Sequence, residues 1–243
     1  RLEHRYSGIY WGEDPSVVLV REYQSSKSRH YLWRIDPNNP ELKQSLFESD
    51  DSERVSLFHS GHPMIRQLPN GKRAMRVNDG AIFLNGLGVK PNGDFPFLDR
   101  FQLDTHRRDR IFECGEEGLE YVVAQLDNNA RKFITRYERP DLYPNYYIRK
   151  DGDPSYDQLT KFKDHAPQLQ KIQKKRITYR RGEDAFDCML YLPPNYDMKN
   201  PKPLPTILWV YPLKFTQSRG AAFLAGDPRR FNRFMGADSR LLA

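Results

Sequence analysis

Serine residues are the first candidates for chemistry in this sequence. A serine hydrolase carries its nucleophile in a Gly-x-Ser-x-Gly pentapeptide between a strand and a helix, and an acidic residue and a histidine follow along the chain. No such pentapeptide occurs in the 243 residues. Ser218 lies in TQSRG, with Thr216 where the first glycine belongs, and Ser60 lies in FHSGH among predicted strand repeats. Neither serine is predicted to be catalytic.

Histidine and cysteine residues do not form a metal-ligand or redox pattern. His59 and His62 are the closest histidine pair, and no carboxylate or cysteine stands beside them at ligand spacing. Cys114 and Cys188 are far apart, and Cys188 in FDCMLYLPP is predicted to be a small, buried, apolar side chain. The sequence therefore predicts no metal and no cofactor, and its cysteines leave the compartment open.

The formal net charge of the chain is +7, and an excess of Lys and Arg can attract nucleic acid. The densest basic run, QKIQKKRITYRR over 170–181, alternates with Ile172, Ile177 and Tyr179. This period of two is typical of a strand with one solvated face, which is the favoured interpretation. A basic nucleic-acid-binding protein is the weaker alternative, and no nucleic-acid partner is predicted.

No membrane partner is predicted either. No apolar run approaches the length of a membrane span, and residues 1–20 lack the basic-then-apolar pattern of a signal peptide. The first residue is Arg rather than Met. We therefore expect that the sequence is an internal part of a longer protein.

Three segments in the first two-thirds of the chain share one plan: an aromatic strand, a polar turn and a second strand. The turns follow Asp36, Asp104 and Asp151, and the third unit is expected to continue through Leu159 and Phe162. Irregular repeats of about 40 to 50 residues with paired strands are typical of propeller blades. Residues 1–165 would form three to four blades, and a β-sandwich of similar hairpins is the alternative. A further hairpin turn is predicted at 78–80.

The pattern changes after residue 168. A hairpin is predicted from strands at 176–179 and 185–192, and a proline-rich loop follows that cannot pair as a central strand. The continuous apolar run at 206–212 predicts a strand that is buried on both faces. We therefore expect two domains, residues 1–168 and residues 169–243.

Three stretches of the sequence together resemble one known family. They are RYSGIYWGED, GLGVKPNGDFPFLDRFQLDT, and LYLPPNYD followed by PLPTILWVYP. In this order they are similar to the prolyl oligopeptidase family of serine peptidases, and most similar to its glutamyl endopeptidase branch. The resemblance implies a mainly β chain, with a partial β-propeller over 1–168 followed by the first strands of an α/β-hydrolase domain over 169–243.

The resemblance also implies one site residue within the chain. In this family a tyrosine hydroxyl after the third hydrolase strand helps to form the oxyanion hole, and Tyr211 is the residue that matches. An ordinary tyrosine at a strand end is the alternative. Relatives in the branch follow this tyrosine with small and acidic residues, whereas this chain has Leu213, Lys214 and Phe215. The Ser-Asp-His triad is expected to lie beyond this chain, which alone is predicted to be inactive.

The resemblance implies that the chain is part of a serine endopeptidase that hydrolyses peptides, with cleavage after Glu as the implied specificity. Its expected partners are the peptide substrate and the remaining part of the peptidase, with a separate chain as one arrangement. A non-catalytic propeller that binds or scaffolds other molecules is the alternative, since a fold does not guarantee a function. For the compartment, the resemblance suggests a bacterial periplasmic or exported enzyme first and a chloroplast enzyme second.

Overall fold

The computed structural model describes residues 2–27, 29–50, 61–90, 92–208 and 227–233. Within these ranges almost all regular structure is β-strand, and the helical part is a short 3-10 helix. The expectation of a mainly β chain is therefore confirmed. The larger sheets are three antiparallel meanders, called here the first, second and third sheets in chain order.

The first sheet consists of four strands that pair in chain order. Short polar side chains close its turns: the Ser16 amide donates to Asp14 Oδ1 at 2.9 Å, and the Asn38 amide donates to Asp36 Oδ1 at 2.9 Å. The predicted strand–turn–strand unit at Asp36 is thus confirmed. The strands are β1 Arg5–Trp11, β2 Val18–Gln24, β3 Arg29–Asp36 and β4 Asn39–Asp50.

The second sheet has the strand order β13-β12-β9-β5, with β8 also paired to β9. Asp79 and Gly80 join β8 to β9 with φ values of 48° and 66°, as a two-residue type I′ hairpin requires. The predicted turn at 78–80 and the unit around Asp104 are both confirmed. The strands are β5 His62–Pro63, β8 Val77–Asn78, β9 Ala81–Gly86, β12 Phe97–Gln102 and β13 Arg108–Glu113.

Two short hairpins adjoin the second sheet and position the groups discussed below. One hairpin pairs β6 with β7 and the other pairs β10 with β11. They are β6 Ile65–Gln67, β7 Arg73–Met75, β10 Val89–Lys90 and β11 Gly93–Asp94.

The third sheet again pairs its strands in chain order, but its last strand ends earlier than predicted. Leu159 and Phe162 lie outside β17 and are exposed. After β17 the Leu159 amide still donates to the Tyr146 carbonyl at 2.9 Å. Side chains supply the next contacts: the Phe162 amide donates to Asn145 Oδ1 at 2.6 Å, and the Tyr146 amide donates to Thr160 Oγ1 at 2.9 Å. The strands are β14 Leu119–Gln125, β15 Lys132–Arg139, β16 Leu142–Lys150 and β17 Asp153–Gln158.

The core lies between successive sheets, because the second sheet is apolar on both faces. Along β9, Ile82 and Leu84 point to one side and Phe83 to the other, as the period of two requires. One buried cluster joins the first and second sheets: Val17, Leu19, Leu32, Leu46, Met75, Ile82, Leu84, Phe101 and Leu103. The other joins the second and third sheets: Met64, Phe83, Leu98, Val122, Ala130 and Phe133. The three sheets therefore pack face to face in chain order.

After the third sheet, a 3-10 helix at Pro167–Lys171 leads into a long hairpin. Its strands, β18 Gln173–Arg181 and β19 Asp184–Leu192, extend beyond the predicted 176–179 and 185–192. Gly182, with φ of 63°, takes the left-handed position in the turn. Cys188 on β19 is half-buried, where the sequence predicted a buried side chain.

The sequence predicted a buried strand at 206–212, but the part of this segment that the structure describes is not a strand. Residues 206–208 form no strand, and Ile207 and Leu208 are largely exposed. No described strand lies beside this segment, so it lacks the neighbours that a doubly covered strand needs. Residues 209–212 lie outside the described ranges.

Candidate functional site

The predicted oxyanion-hole residue Tyr211 lies outside the described residues, as do Ser60, Ser218 and His59. His62 begins β5 and is half-buried; burial, with a smaller contribution from the Arg21 charge, lowers its pKa. In the part of the chain that the structure describes, no three His, Cys, Asp or Glu residues are grouped to hold a metal ion. The same part contains no helix with the length and apolarity needed to cross a bilayer.

A cavity of about 250 Å³ lies between the edge strands of the second and third sheets. One wall comes from the residues after β5 and from the β6–β7 hairpin, and the other comes from the end of β14. Its lining combines apolar surface with long polar side chains, which include Met64, Ile65, Arg66, Arg76, Ala124 and Gln125. The sequence analysis assigned no role to these residues.

Arg76 is the most deeply buried cation of this cavity, with 7% of the residue exposed. Its Nη1 donates to the backbone carbonyl of Asp127, whereas its buried Nε has no acceptor among the described residues. Burial, and then the nearby charge of Arg66, lower its pKa. The charges of Glu13 and Asp127 act in the opposite direction. Because a guanidinium stays protonated even so, Arg76 brings a positive charge to the cavity wall with two carboxylates acting on it.

Arg66, by contrast, donates hydrogen bonds to a carboxylate within the protein. Its Nη2 donates to Glu13 Oε2 at 2.7 Å, and its Nε donates to the other carboxylate oxygen. This two-point contact is the usual geometry of an arginine with a carboxylate. The charge of Arg66 is therefore balanced within the protein.

Gln125 adds a second polar group from the opposite wall. Its Nε2 is buried and finds no hydrogen-bond partner among the described residues. A buried donor without a partner costs free energy, about 1–3 kcal/mol in mutational series. Arg76 and Gln125 both line the cavity, but these two donor atoms are enclosed by other protein atoms. The sequence signal that could have indicated Arg76 is its place between the apolar residues Met75 and Val77 in a predicted hairpin.

A second polar cluster ties residues 227–233 to the β10–β11 hairpin. The Asp227 carboxylate accepts hydrogen bonds from the amide of Asp94 at 2.8 Å and from the amide of Arg229 at 2.8 Å. Arg229 donates back to Asp227 through Nη2 at 2.7 Å and to the Gly115 carbonyl at 2.8 Å. Asp227 and Arg229 therefore hold three distant parts of the chain together.

The same segment is also anchored to the 3-10 helix and the third sheet. Asn232 Nδ2 donates to the carbonyls of Leu169 at 3.0 Å and Ile172 at 3.3 Å. Phe231 is buried and packs edge-on against Tyr143, with ring centroids 5.2 Å apart. Residues 227–233 therefore contact both sides of the predicted domain boundary at 168/169.

The pKa values of the two aspartates in this cluster, Asp94 and Asp227, are shifted in opposite directions. Burial raises the pKa of Asp94, although Arg230 partly offsets it. Burial also acts to raise the pKa of Asp227, but hydrogen bonds from Arg229 and from the Asp94 amide outweigh it, so its pKa is lowered. Asp227 is thus held as a carboxylate by structural contacts, and nothing in the cluster offers a nucleophile.

Glu120 is a further buried charge, and its contacts lie within the third sheet. Arg149 donates to both oxygens of Glu120 at 2.8 and 2.6 Å, and Thr135 Oγ1 donates to Glu120 at 2.6 Å. The Cys114 thiol lies nearby; burial, with a smaller opposing contribution from the Glu120 amide, raises its pKa to about 11. Such a thiol is a poor nucleophile at neutral pH. These groups are structural.

Comparison with known proteins identifies relatives along the whole chain. Two proteins called probable glutamyl endopeptidase, chloroplastic, match it: that of Oryza sativa subsp. japonica is 32% identical over 259 residues, and that of Arabidopsis thaliana is 31% identical over 258 residues. Each match covers 100% of this chain and 27% of the relative. The chain therefore spans about a quarter of the length of these relatives. No protein-family model matches it.

Solved structures resemble the chain more distantly. The β-propeller domain of the trilobed protease from Pyrococcus furiosus is 9% identical, with a TM-score of 0.38 over 76% of this chain and 55% of that one. A putative dipeptidyl aminopeptidase IV from Bacteroides ovatus is 11% identical, with a TM-score of 0.43 over 79% of this chain and 34% of that one. Because these scores are low, the assignment of the chain depends on the sequence matches. The chain is similar along its whole length to two proteins named as probable glutamyl endopeptidases, which is the branch of the prolyl oligopeptidase family that its motifs resemble.

Proposed function

We propose that this protein is part of a serine endopeptidase that hydrolyses peptide bonds by acyl transfer. The observation that carries the proposal is the match of all its residues to two proteins named as glutamyl endopeptidases. In this proposal residues 1–168 are blades of a β-propeller, and residues 169–243 begin an α/β-hydrolase domain. The Ser-Asp-His triad belongs to the remaining part of the enzyme, which is the expected partner together with the peptide.

The packing of the sheets supports the propeller assignment. A propeller stacks four-stranded meanders around an axis, so each blade packs against the blades before and after it. The second sheet contacts the first through one buried cluster and the third through another. A two-sheet sandwich would cover only one face of each sheet.

Labelling with a fluorophosphonate probe tests the peptidase proposal directly, because the probe reacts with an activated serine. The protein is purified from its native source, labelled and separated on a denaturing gel. We expect label on a band heavier than 28.7 kDa, or on a companion chain. Label confined to a 28.7 kDa band would contradict the inference that no serine of this chain is catalytic. No label anywhere would favour the non-catalytic binding protein.

In this proposal the Tyr211 hydroxyl donates a hydrogen bond to the oxyanion of the tetrahedral intermediate. Removing one such donor typically lowers kcat by about 100- to 1,000-fold. Tyr211→Phe in the complete enzyme is expected to cause a loss of this size with little change in KM. Tyr196→Phe is the matched control, because the exposed Tyr196 hydroxyl donates to the Lys202 carbonyl in a loop. Equal kcat values for the two variants would assign Tyr211 to an ordinary strand end.

Cleavage after Glu is proposed from the names of the relatives. This preference is tested by comparing kcat/KM for three peptides that differ only in having Glu, Ala or Pro before the scissile bond. Equal values would reject the preference for Glu while leaving the peptidase proposal intact.

A chloroplast location is proposed for the same reason, since both relatives are named as chloroplastic. Neither of them supports the bacterial periplasmic or exported location that the resemblance suggested first. Fractionation of cells that express the complete protein with a terminal tag measures the location.

A further inference from the structure

The β18–β19 hairpin pairs with no further strand in the part of the chain that the structure describes. A two-stranded hairpin is only marginally stable by itself in water, so other contacts must fix its position relative to the three sheets. The 3-10 helix at Pro167–Lys171 joins the hairpin to the third sheet through the chain itself. Residues 227–233, called here the clip, contact both the sheets and the start of the hairpin.

One end of the clip holds the start of the hairpin. Asn232 is buried, and its Nδ2 donates to the carbonyls of Leu169 at 3.0 Å and Ile172 at 3.3 Å. The last carbonyls of a short helix have no partner within the helix, so this amide caps the 3-10 helix directly before β18 begins. From β18 itself, Lys174 Nζ donates to the Arg230 carbonyl.

The other end of the clip lies in a socket formed by Gly93, Asp94 and Phe95. A Cβ at Gly93 would lie 2.7 Å from Asp227 Oδ2 and 3.1 Å from Arg229 Nη2, and the φ of +144° also favours glycine. The Asp94 amide donates to Asp227 Oδ2 at 2.8 Å. The Arg229 guanidinium lies over the Phe95 ring, 4.9 Å from its centroid. The socket therefore has room for these two side chains because Gly93 has none.

Between its two ends the clip packs on the third sheet. Phe231 is buried and lies edge-on against Tyr143 of β16, with ring centroids 5.2 Å apart. The clip therefore extends from the β10–β11 hairpin, past the third sheet, to the 3-10 helix. Its contacts with the socket are mainly ionic, whereas its contacts with the helix are hydrogen bonds from a neutral amide.

We propose that the clip is a conformational device that fixes the β18–β19 hairpin against the sheets. The chain crosses the predicted boundary at 168/169 within the 3-10 helix, and the clip adds a second, noncovalent connection across the same boundary. Release of either end of the clip lets the hairpin move about the 3-10 helix while the sheets stay folded. The proposal concerns how these elements are arranged and does not depend on peptidase activity.

The distance between two nitroxide labels tests the proposal in the complete protein, without substrate. One label is attached through Lys175→Cys, at an exposed position near the start of β18, and the other through Arg131→Cys, at an exposed turn of the third sheet. Cys188→Ser removes the half-buried thiol, and the buried Cys114 is kept. With the clip intact, the distribution of distances is expected to be narrow, because the hairpin has one position.

Two variants each release one end of the clip. Gly93→Ala acts from the socket and leaves every residue of the clip unchanged, whereas Asn232→Ala removes the cap of the 3-10 helix. Each is expected to broaden the distance distribution about twofold, since a second arrangement becomes populated. Gly71→Ala is the matched control, because it also adds a methyl group at positive φ but meets nothing within 4 Å. An unchanged width in either clip variant, or equal broadening in Gly71→Ala, would overturn the proposal.

Amide hydrogen exchange separates release of the clip from unfolding of the sheets. In Gly93→Ala the Asp94 amide is expected to exchange about tenfold faster, because local opening breaks its bond to the clip. The Met64 amide, which donates to the Phe83 carbonyl at 2.8 Å, is expected to exchange as in wild type. If Gly93→Ala disturbs the sheets, Asn232→Ala decides, since it lies away from the socket. Broadening in Asn232→Ala together with fast exchange at Met64 would overturn the proposal.

Discussion

Replacing Asp227 by alanine tests how residues 227–233 are held against the sheets. The carboxylate of Asp227 is fully buried and accepts four hydrogen bonds: one from the Asp94 amide, and three from the amide, Nε and Nη2 of Arg229. The variant loses all four. It also leaves Arg229, whose side chain is 16% exposed, without its carboxylate.

The size of the effect follows from these contacts. Removing one partner of a buried ion pair costs about 3–5 kcal/mol. Arg229 keeps the carbonyls of Gly115 and Asp94 as acceptors, which places the expected loss near the lower limit. We expect about 3 kcal/mol, which is roughly a hundredfold in the equilibrium between attached and detached segment.

Amide hydrogen exchange at Asp94 measures this loss directly, because its N–H donates to Asp227. In Asp227→Ala the exchange of this amide is expected to accelerate roughly a hundredfold, and the denaturant midpoint is expected to fall. Asp141→Ala is the control, because its pair with Arg139 is exposed and is worth about 1 kcal/mol or less. Exchange at Asp94 within threefold of wild type would refute the reasoning.

The pH dependence of the same variant gives an independent check. The pKa of Asp227 in the folded protein is lowered from 3.8, since Arg229 and two amides outweigh burial. A carboxyl with a lowered pKa stabilises the fold above its unfolded pKa and loses this contribution as the pH falls through its folded pKa. The stability difference between wild type and Asp227→Ala is therefore expected to be full at neutral pH and to shrink below pH 3.8. A difference independent of pH would contradict the assignment.

Two further predictions concern buried positions. Burial raises the pKa of Cys114 to about 11, so its thiol is expected not to react with Ellman's reagent at pH 8 until the protein unfolds. Half-buried Cys188 is expected to react first. Rapid labelling of Cys114 in a peptide map of the folded protein would contradict this prediction. Gly88→Ala is expected to lower the unfolding free energy by about 3 kcal/mol or more, because a Cβ there would lie 2.0 Å from the Phe95 carbonyl oxygen at a φ of +55°. Gly71→Ala, which also has positive φ but has nothing within 4 Å, is expected to cost only about 1 kcal/mol, and equal losses would reject the steric argument.

Much of the local structure could be predicted because it depends on neighbours in sequence. The turns after Asp36 and at Asp79-Gly80 were predicted correctly, since short polar side chains and positive φ are local preferences. The second strand of the third repeat was predicted to continue further than it does. The alternation of its sequence continues through Leu159, but β17 ends before that residue. Just beyond it the Thr160 hydroxyl donates to Asn145 Oδ1, a contact between residues 15 positions apart that the local pattern does not indicate.

The sequence by itself determined the strand–turn–strand units, the mainly β class and the relationship to the glutamyl endopeptidases. The tertiary structure alone decided which polar groups meet. Arg76 reaches the carbonyl of Asp127, which is 51 positions away, and Asp227 reaches the amide of Asp94, which is 133 positions away. Such contacts follow from the way the sheets pack on one another, and packing joins residues whose local sequences carry no signal of each other.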